Sequence, residues 1–239
     1  MDGVRGEVMM DFGGIKELTI GEVKVKELFI GGVKVWQSGR LPAGYTELEY
    51  IEATGTQYID TGITGRNGLS VEFSFNPLSL LSADSSTIIG CTNGSNQRMY
   101  LTMNKTPAPK FYWELGASNY HVETSGARAI DGTKYHINIS WTKARSVLTV
   151  DGKAVITINT LAFDDNKTNL YLFARNKGTS VDKYSHARLY GMKMWDNGTL
   201  VRDFVPARSR DGTVGMYDLV TGGFFTNAGT DSFTAGGAV

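Results

Sequence analysis

Acidic side chains that lie close in sequence are the residues of this chain that could do hydrolytic chemistry. They occur at Glu47, Glu49 and Glu52 and at the adjacent Asp164 and Asp165. Glycoside hydrolysis needs two carboxyl groups flanking the scissile bond. Glu47 and Glu49 share one strand face through their i, i+2 spacing, but charged side chains of this kind are usually solvated. The sequence also lacks a phosphate-binding glycine loop and a GxSxG nucleophile elbow, so we predict that the protein is not an enzyme.

Metal binding has little support in the residue pattern. The three histidines, His121, His136 and His186, are far apart in sequence and form no HxH or HxxxH pattern. Asp164 and Asp165, followed by an asparagine, offer oxygen ligands of the type that calcium prefers. The same residues are also common turn formers. We therefore predict no cofactor, with calcium at Asp164 and Asp165 as the open alternative.

Sugar recognition is the chemistry that the polar loops support best. A pyranose is bound by an aromatic ring that stacks on its apolar face and by amide, carboxylate or guanidinium groups that pair with its hydroxyls. Loops on a rigid scaffold are the usual place for such groups. Asparagine-rich turns without any ligand would show the same composition. The candidate glycan-binding residues are Asn93, Asn96, Arg98, Trp113, Glu114, Arg175 and Asn176.

Length and charge narrow the class of protein. The chain has 239 residues, with 24 basic and 24 acidic side chains and a formal net charge of zero. Phosphate backbones select clustered Lys and Arg, so a nucleic-acid partner is not expected. The sequence shows neither an export leader nor an apolar run that could enter a membrane, so we expect no signal peptide and no membrane insertion. The single cysteine, Cys91, is predicted to be a buried small apolar residue.

An internal repeat precedes the main part of the chain. The segment KELTIGEVKV (Lys16–Val25) aligns with KELFIGGVKV (Lys26–Val35), with eight identities in ten positions. Apolar residues alternate on both sides of a glycine turn in each copy, which predicts a ribbon of four short strands. Such a ribbon is too small to bury its apolar face alone. We predict docking or self-association through Leu18, Ile20, Leu28, Phe29, Ile30 and Trp36.

Residues 41–239 read as one continuous run of short strands. Residues 69–75 and 135–141 alternate strictly between apolar and polar side chains, and Asp151-Gly152 is a dipeptide typical of a tight hairpin. We find no helical periodicity. The pattern predicts an all-β, two-sheet antiparallel jelly-roll sandwich after a small β-ribbon extension in residues 1–40. The repeated aromatic residues are expected to be mostly core.

Three segments carry a resemblance to a known family. They are GYTELEYIEATGTQYIDTG (44–62), YGMKMWDNGTLVRDFVPAR (190–208) and GMYDLVTGGFFTNAGTDSFTAG (215–236). Together they resemble the laminin-G-like, concanavalin A-like sandwich domains of tail-associated and receptor-binding proteins of bacteriophages and prophages. The first segment is predicted to form two paired strands joined by a glycine corner at Gly55. The terminal hairpin, residues 214–226, is expected to pair with these strands, and the resemblance supports first and last strands that lie side by side. Hydrolases of this fold class carry an ExDxxE run, which is absent here.

The resemblance also implies a setting. It favours a non-catalytic virion protein of the phage tail or surface that is synthesised in the host cytoplasm. Its sandwich would bind host-surface carbohydrate, and residues 1–40 would dock it to other virion proteins or to a second copy of itself. A purely structural decoration or tail subunit is the alternative, and a polysaccharide hydrolase is the third hypothesis.

Overall fold

A computed structural model gives the fold of the chain, and it describes residues 18–20, 23–25, 27–30, 33–37, 39–79, 85–93, 97–104, 110–116, 121–159 and 165–239. The chain divides into two compact units, Met1–Tyr45 and Thr46–Val239. Among these described residues no helix is long and apolar enough to cross a membrane.

The N-terminal unit contains the doubled repeat as paired strands. Each copy forms one antiparallel hairpin, which confirms the short strands predicted from the sequence. The two hairpins are separate two-stranded sheets within the described residues, rather than one four-stranded ribbon. Their strands are β1 (Leu18–Ile20), β2 (Val23–Val25), β3 (Glu27–Ile30) and β4 (Val33–Gln37).

The second unit contains two large sheets. The front sheet has eight strands in the order β12-β11-β10-β9-β16-β7, with β17 and β18 attached beside β9. It is antiparallel except for a parallel bridge between β17 and β9. Its strands are β7 (Ile59–Thr64), β9 (Ser85–Asn93), β10 (Gln97–Asn104), β11 (Lys110–Gly116), β12 (His121–Arg128), β16 (Asn169–Leu172), β17 (Arg175–Asn176) and β18 (Val181–Asp182).

The back sheet has eleven strands and is built around the long pair β19 and β20. Its main order is β15-β14-β13-β8-β19-β20-β21-β22, with β5, β6 and β23 attached beside β19 and β20. Its strands are β5 (Tyr45–Glu47), β6 (Ile51–Thr54), β8 (Leu69–Pro77), β13 (Tyr135–Trp141), β14 (Arg145–Val150), β15 (Lys153–Asn159), β19 (His186–Asp196), β20 (Thr199–Ser209), β21 (Val214–Asp218), β22 (Phe224–Thr226) and β23 (Thr234–Ala235).

The strands form where the sequence alternates with period two. In β8 the apolar side chains of residues 69, 71, 73 and 75 are buried, and the intervening polar ones are partly exposed. Tight turns join neighbouring strands. Asp151 and Gly152 both have positive φ, as a type I′ hairpin turn requires, and Asn197 and Gly198 repeat that geometry between β19 and β20. These turns fix the register of the back sheet.

The core lies between the two sheets. Phe111 on the front sheet meets Phe75 on the back sheet at 6.3 Å between ring centroids, and it meets Tyr135 of the back sheet at 5.3 Å. Burying one such aromatic side chain contributes about 1.5–3 kcal/mol. Cys91 is fully buried in this core, which confirms its predicted role. The predicted all-β, two-sheet jelly-roll sandwich is confirmed.

The sandwich closes differently from the expectation. β6 and β7 flank the glycine corner at Gly55 but belong to opposite sheets, so they do not pair with each other. The first and last strands do meet, because β23 pairs with β6 through Thr234↔Glu52 and Ala235↔Ile51. The β21–β22 hairpin, expected as the partner of that segment, instead extends the edge beside β20.

Candidate functional site

A row of five residues crosses the outer face of the front sheet. Tyr171 is paired with Asp60 on one neighbouring strand and with Gly90 on the other. Gly90 is in turn paired with Tyr100, and Tyr100 with Glu114. Residues paired across strands project on the same side of a sheet, and the residues before and after Tyr171 and Tyr100 are buried in the core. These five residues, which we call the outer row, therefore face away from the core.

Gly90 leaves the space that Tyr100 needs. A Cβ atom added at Gly90 would overlap the Cβ of Tyr100. Two cations then cover the tyrosine ring, since the Arg175 guanidinium lies 4.9 Å and the Lys183 ammonium 5.4 Å from its centroid. Tyr100 is consequently only 2% exposed although it lies on the outer face. The sheet thus presents cations at this point rather than a bare aromatic ring.

Arg175 holds the centre of this region together. Its Nε and Nη2 donate to the two carboxylate oxygens of Asp182 at 2.8 and 2.7 Å, and its Nη1 donates to the Tyr100 hydroxyl at 2.9 Å. Burial alone would raise the pKa of Asp182, but the hydrogen bonds and charge of Arg175 outweigh it and hold that pKa below its usual value. The arginine is therefore locked in one orientation by a two-point ion pair.

Arg98 and Glu114 form a second ion pair on the other side of Tyr100. The Nη1 of Arg98 donates to a Glu114 carboxylate oxygen at 2.9 Å. Burial, and next the Glu114 carboxylate, raise the pKa of Tyr100 well above that of free tyrosine. The phenol therefore stays protonated. Three of the residues predicted from the sequence, Arg98, Glu114 and Arg175, are brought together around Tyr100.

Tyr171 of the outer row belongs to a group of three half-buried tyrosines on this face. The rings of Tyr58 and Tyr171 are stacked, with 4.7 Å between centroids and 20° between planes, and Tyr184 lies 6.2 Å from Tyr58. Tyr58 is anchored by its backbone N–H, which donates to Asn227 Oδ1 at 3.0 Å. Burial raises the pKa of both Tyr171 and Tyr184. These residues, which we call the tyrosine trio, give the face a partly exposed aromatic surface.

The remaining predicted glycan residues fall outside this arrangement. Trp113 is fully buried, so the prediction that it offers a stacking ring at the rim is wrong: it occupies a core position of β11. Asn176 is also buried, and its amide donates to the Asn169 carbonyl and accepts from the Gly178 N–H. Asn93 is exposed at the end of β9, and Asn96 lies outside the described residues.

The tyrosines of the site are not among the residues predicted from the sequence. The repeated aromatic residues are expected to be core, but Tyr50, Tyr58 and Tyr190 are only half-buried. A signal was present for Tyr171, because it lies between Leu170 and Leu172 and strand neighbours point to opposite faces. An aromatic residue on the polar face of a strand is a better indicator of a binding surface than one on the apolar face.

The back sheet carries an aromatic pair of a different kind. Tyr50 and Tyr190 meet edge to face at 5.5 Å between centroids. A cation already covers each ring, with Arg188 4.5 Å from the Tyr50 centroid and Lys134 3.8 Å from that of Tyr190. Arg188 also donates to Glu52 at 2.7 Å. Because their faces are occupied in this way, these tyrosines offer less stacking surface than the tyrosine trio.

We assign no metal site to the predicted acidic groups and no ligand site to the polar cavity of the sandwich. Asp165 accepts a hydrogen bond from the Asn67 N–H, and Asp164 lies outside the described residues. In the described part of the chain no three His, Cys, Asp or Glu side chains cluster as a metal site would require. A hollow of about 410 Å³ is lined by Asp211 and Asn227, but hydrogen bonds within the chain already engage their side chains.

Comparison with known proteins supports the class of fold. As a sequence, the chain matches no protein-family model and no curated protein. As a structure, it belongs to the class of jelly-roll sandwiches that includes the pentraxins.

Two solved structures illustrate that likeness. A heptameric SAP-like pentraxin from Limulus polyphemus superposes with a TM-score of 0.52 and 11% identity, over 81% of this chain and 94% of that one. A protein from Bacteroides ovatus assigned to carbohydrate binding superposes with a TM-score of 0.57 and 11% identity, over 80% of this chain and 61% of that one. At such low identity the likeness shows a shared fold alone.

Proposed function

We propose that this protein is a non-catalytic carbohydrate-binding protein and that the outer row and the tyrosine trio form its binding surface. The observation that carries the proposal is the stacked pair Tyr58 and Tyr171 on the same sheet face as the Arg175–Asp182 ion pair. Aromatic rings stack on the apolar face of a sugar, and fixed charged groups pair with its hydroxyls. The surface combines both kinds of group on the rigid strands of one sheet.

The absence of catalysis is part of the proposal and has its own support. Glu52, one of the acidic candidates, pairs with Arg188 at 2.7 Å and with His186 at 3.7 Å. Its carboxylate is thus engaged by side chains of the neighbouring strand rather than open to a substrate, as the acid of a glycoside hydrolase must be. Turnover of a laminarin-type or host-surface polysaccharide by the purified protein would overturn this part.

The setting that we propose is a phage particle. It rests on the resemblance of residues 44–62, 190–208 and 215–236 to sandwich domains of phage tail and receptor-binding proteins. In that setting the sandwich contacts host-surface carbohydrate, and the two N-terminal hairpins attach it to other virion proteins or to a second copy. Ile30, one of the predicted docking residues, is 49% exposed, and Leu28 is half-buried. The other predicted docking side chains lie outside the described set.

Binding to glycans tests the proposed function directly. The full-length chain, displayed multivalently because single sugar sites are weak, is assayed on a glycan array and on whole host cells. We expect binding that a Tyr58→Ala/Tyr171→Ala double variant loses and that a Tyr190→Ala variant on the back sheet keeps. Absence of binding to every glycan and cell would favour the alternative, a purely structural decoration or tail subunit.

Sizing tests the proposed attachment role of the N-terminal hairpins. The molar mass of the full chain is measured beside that of a fragment beginning at Leu41. A larger assembly for the full chain alone supports self-association through residues 1–40. Equal monomer masses would exclude self-association, and docking to another virion protein would then be tested by pull-down with the purified candidate partner.

A further inference from the structure

Positive charge is concentrated on the candidate surface. Four cations surround Tyr100 and its ion pairs, namely Arg98, Arg175, Lys177 and Lys183, whereas Glu114 and Asp182 are the carboxylates among them. The Asp60 carboxylate, at the far end of the outer row, accepts a hydrogen bond from the Asn169 amide. The chain as a whole has equal numbers of basic and acidic residues. Among the described residues the surroundings of Tyr100 therefore carry a local excess of two positive charges.

Of these four cations, Lys183 is the one for which the described residues provide no counter-ion at ion-pair distance. Arg98 pairs with Glu114, and Arg175 and Lys177 both pair with Asp182. For the Lys183 ammonium, the described part of the chain provides no hydrogen-bond acceptor and no carboxylate at ion-pair distance. The nearby carboxylates of Glu114 and Asp182 are already paired with Arg98 and Arg175. A half-buried ammonium in this situation is an open position for an anion.

The backbone holds Lys183 in that position. Its carbonyl accepts a hydrogen bond from the Thr87 N–H at 2.8 Å, which fastens the residue to β9. Its φ of 51° is in the left-handed region, which is uncommon for residues other than glycine and asparagine. The main chain of Lys183 is thus fixed beside β9, and from there its ammonium lies 5.4 Å from the Tyr100 ring centroid.

We infer that the saccharide bound by this surface carries a carboxylate, which pairs with Lys183 and lies within reach of the Arg98 and Arg175 charges. This inference rests on the proposed carbohydrate function and names the class of sugar. An acidic sugar, such as a uronic or nonulosonic acid, would neutralise the local excess of charge while its ring contacts the tyrosine trio. A neutral sugar would leave the half-buried ammonium unpaired in the complex. Charge attraction in such a partly desolvated site is stronger than in bulk water.

Matched pairs of sugars test the inference. The full-length chain is titrated with sialyllactose and lactose, and with an oligogalacturonate and its carboxyl-reduced form, while dextran sulfate and dextran serve as a sulfated and neutral pair. We expect a carboxylated sugar to bind at least about tenfold more tightly than its uncharged match. Equal binding within each pair would overturn the inference and leave the carbohydrate function standing. A sulfated ligand bound in preference to every carboxylated one would also overturn it.

Variants at one position locate the effect. Lys183→Asn removes the charge and keeps a residue that tolerates the left-handed backbone, so the fold is preserved. We expect it to abolish the preference for the carboxylated sugar, whereas Lys183→Arg keeps it and Lys153→Gln, an exposed lysine on β15, leaves it unchanged. Retention of the preference in Lys183→Asn would overturn the assignment. Failure of every sugar to bind would instead count against the carbohydrate function itself.

Discussion

Arg175 and Asp182 form a two-point ion pair across the short β17–β18 ladder, with N–O distances of 2.8 and 2.7 Å. The side chain of Arg175 is only 14% exposed, and its remaining terminal nitrogen donates to Tyr100 on β10. One side chain thus links the β17–β18 ladder to the body of the front sheet. Lys183 and Tyr184 follow β18 directly, so this ion pair also fixes the residues that we assign to sugar binding.

Replacing Arg175 by lysine should therefore weaken the fold. Lysine keeps the charge but cannot make the planar two-point contact or reach Tyr100 at the same time. We expect Arg175→Lys to lower the free energy of unfolding by about 1 kcal/mol, a value that allows for the 36% exposure of Asp182. Urea denaturation measures it. An Arg145→Lys change on β14, where the residue is exposed, serves as the control, and equal stability of both variants would contradict the linking role.

The tyrosine stack gives a prediction that separates the ring from its hydroxyl. Tyr171→Phe keeps the 4.7 Å contact with Tyr58, and we expect glycan affinity within about twofold of the original. Tyr171→Ala removes the stacking surface and should lower the affinity by about three- to tenfold. Isothermal titration with the tightest sugar of the panel measures both. If the Phe variant lost as much affinity as the Ala variant, the hydroxyl rather than the ring would be the important group.

Much of the scaffold follows from local pattern. The alternation in β8 and β13 and the Asp151-Gly152 turn each depend on neighbours in sequence, and the structure confirms them. The sheet to which a strand belongs is not determined by its neighbours in sequence. The sequence around Gly55 predicts one strand pair, but its two strands lie in opposite sheets, because a corner between sheets and a hairpin turn use the same glycine-rich residues.

The site was predictable only in part for the same reason. Arg98 and Glu114 lie on adjacent strands in a simple hairpin register, and they do pair. Trp113 is predicted at the rim together with Glu114, but strand neighbours face opposite ways, and Trp113 is buried. The approach of Tyr58 to Tyr171 depends on strand order in the front sheet. Strand order is set by long-range pairing, which one sequence does not reveal.

The absence of a side chain at Gly90 is predicted to be required for the close approach of Tyr100 on the neighbouring strand. A methyl group there would overlap the Cβ of Tyr100, so Gly90→Ala must displace Tyr100 or the strand itself. We expect a loss of about 1–3 kcal/mol in the free energy of unfolding, together with weaker sugar binding. Gly237→Ala is the matched control, because nothing lies within 4 Å of the added Cβ and its backbone is not left-handed. Similar stability of the two variants would show that the front sheet absorbs the methyl group without cost.

Cys91 offers a probe of the core. Burial raises the pKa of its thiol from 9.0 to about 12, so little thiolate exists at pH 8 in the folded protein. Since the thiolate is the reactive form, we expect the alkylating reagent iodoacetamide to label Cys91 only after unfolding in urea. Mass spectrometry with and without denaturant measures the difference. Rapid labelling of the native chain would mean that β9 opens readily, which would be incompatible with a rigid outer row.

The Lys183 ammonium should give binding of an acidic sugar a distinct pH dependence. Burial, and next the charge of Arg175, lower the pKa of Lys183 below its usual 10.5, with Arg98 acting in the same direction and Glu114 and Asp182 opposing it. The lysine therefore loses its charge at a lower pH than an exposed lysine does. Below that pKa the ammonium is charged and attracts the carboxylate, and above it the attraction is lost.

We expect the affinity for the carboxylated sugar to be constant near neutral pH and to fall in the alkaline range, at a lower pH than that at which an exposed lysine loses its charge. The pKa values of Tyr100, Tyr171, Tyr184 and Arg175 are all raised, so these groups lose their protons at higher pH than they would in water. The uncharged match of the same sugar should show no such fall, and neither should the Lys183→Asn variant. Titrations at stepwise pH, with circular dichroism to confirm that the fold persists, measure the effect. A fall of the same size in the variant would assign it to another group and remove Lys183 from the site.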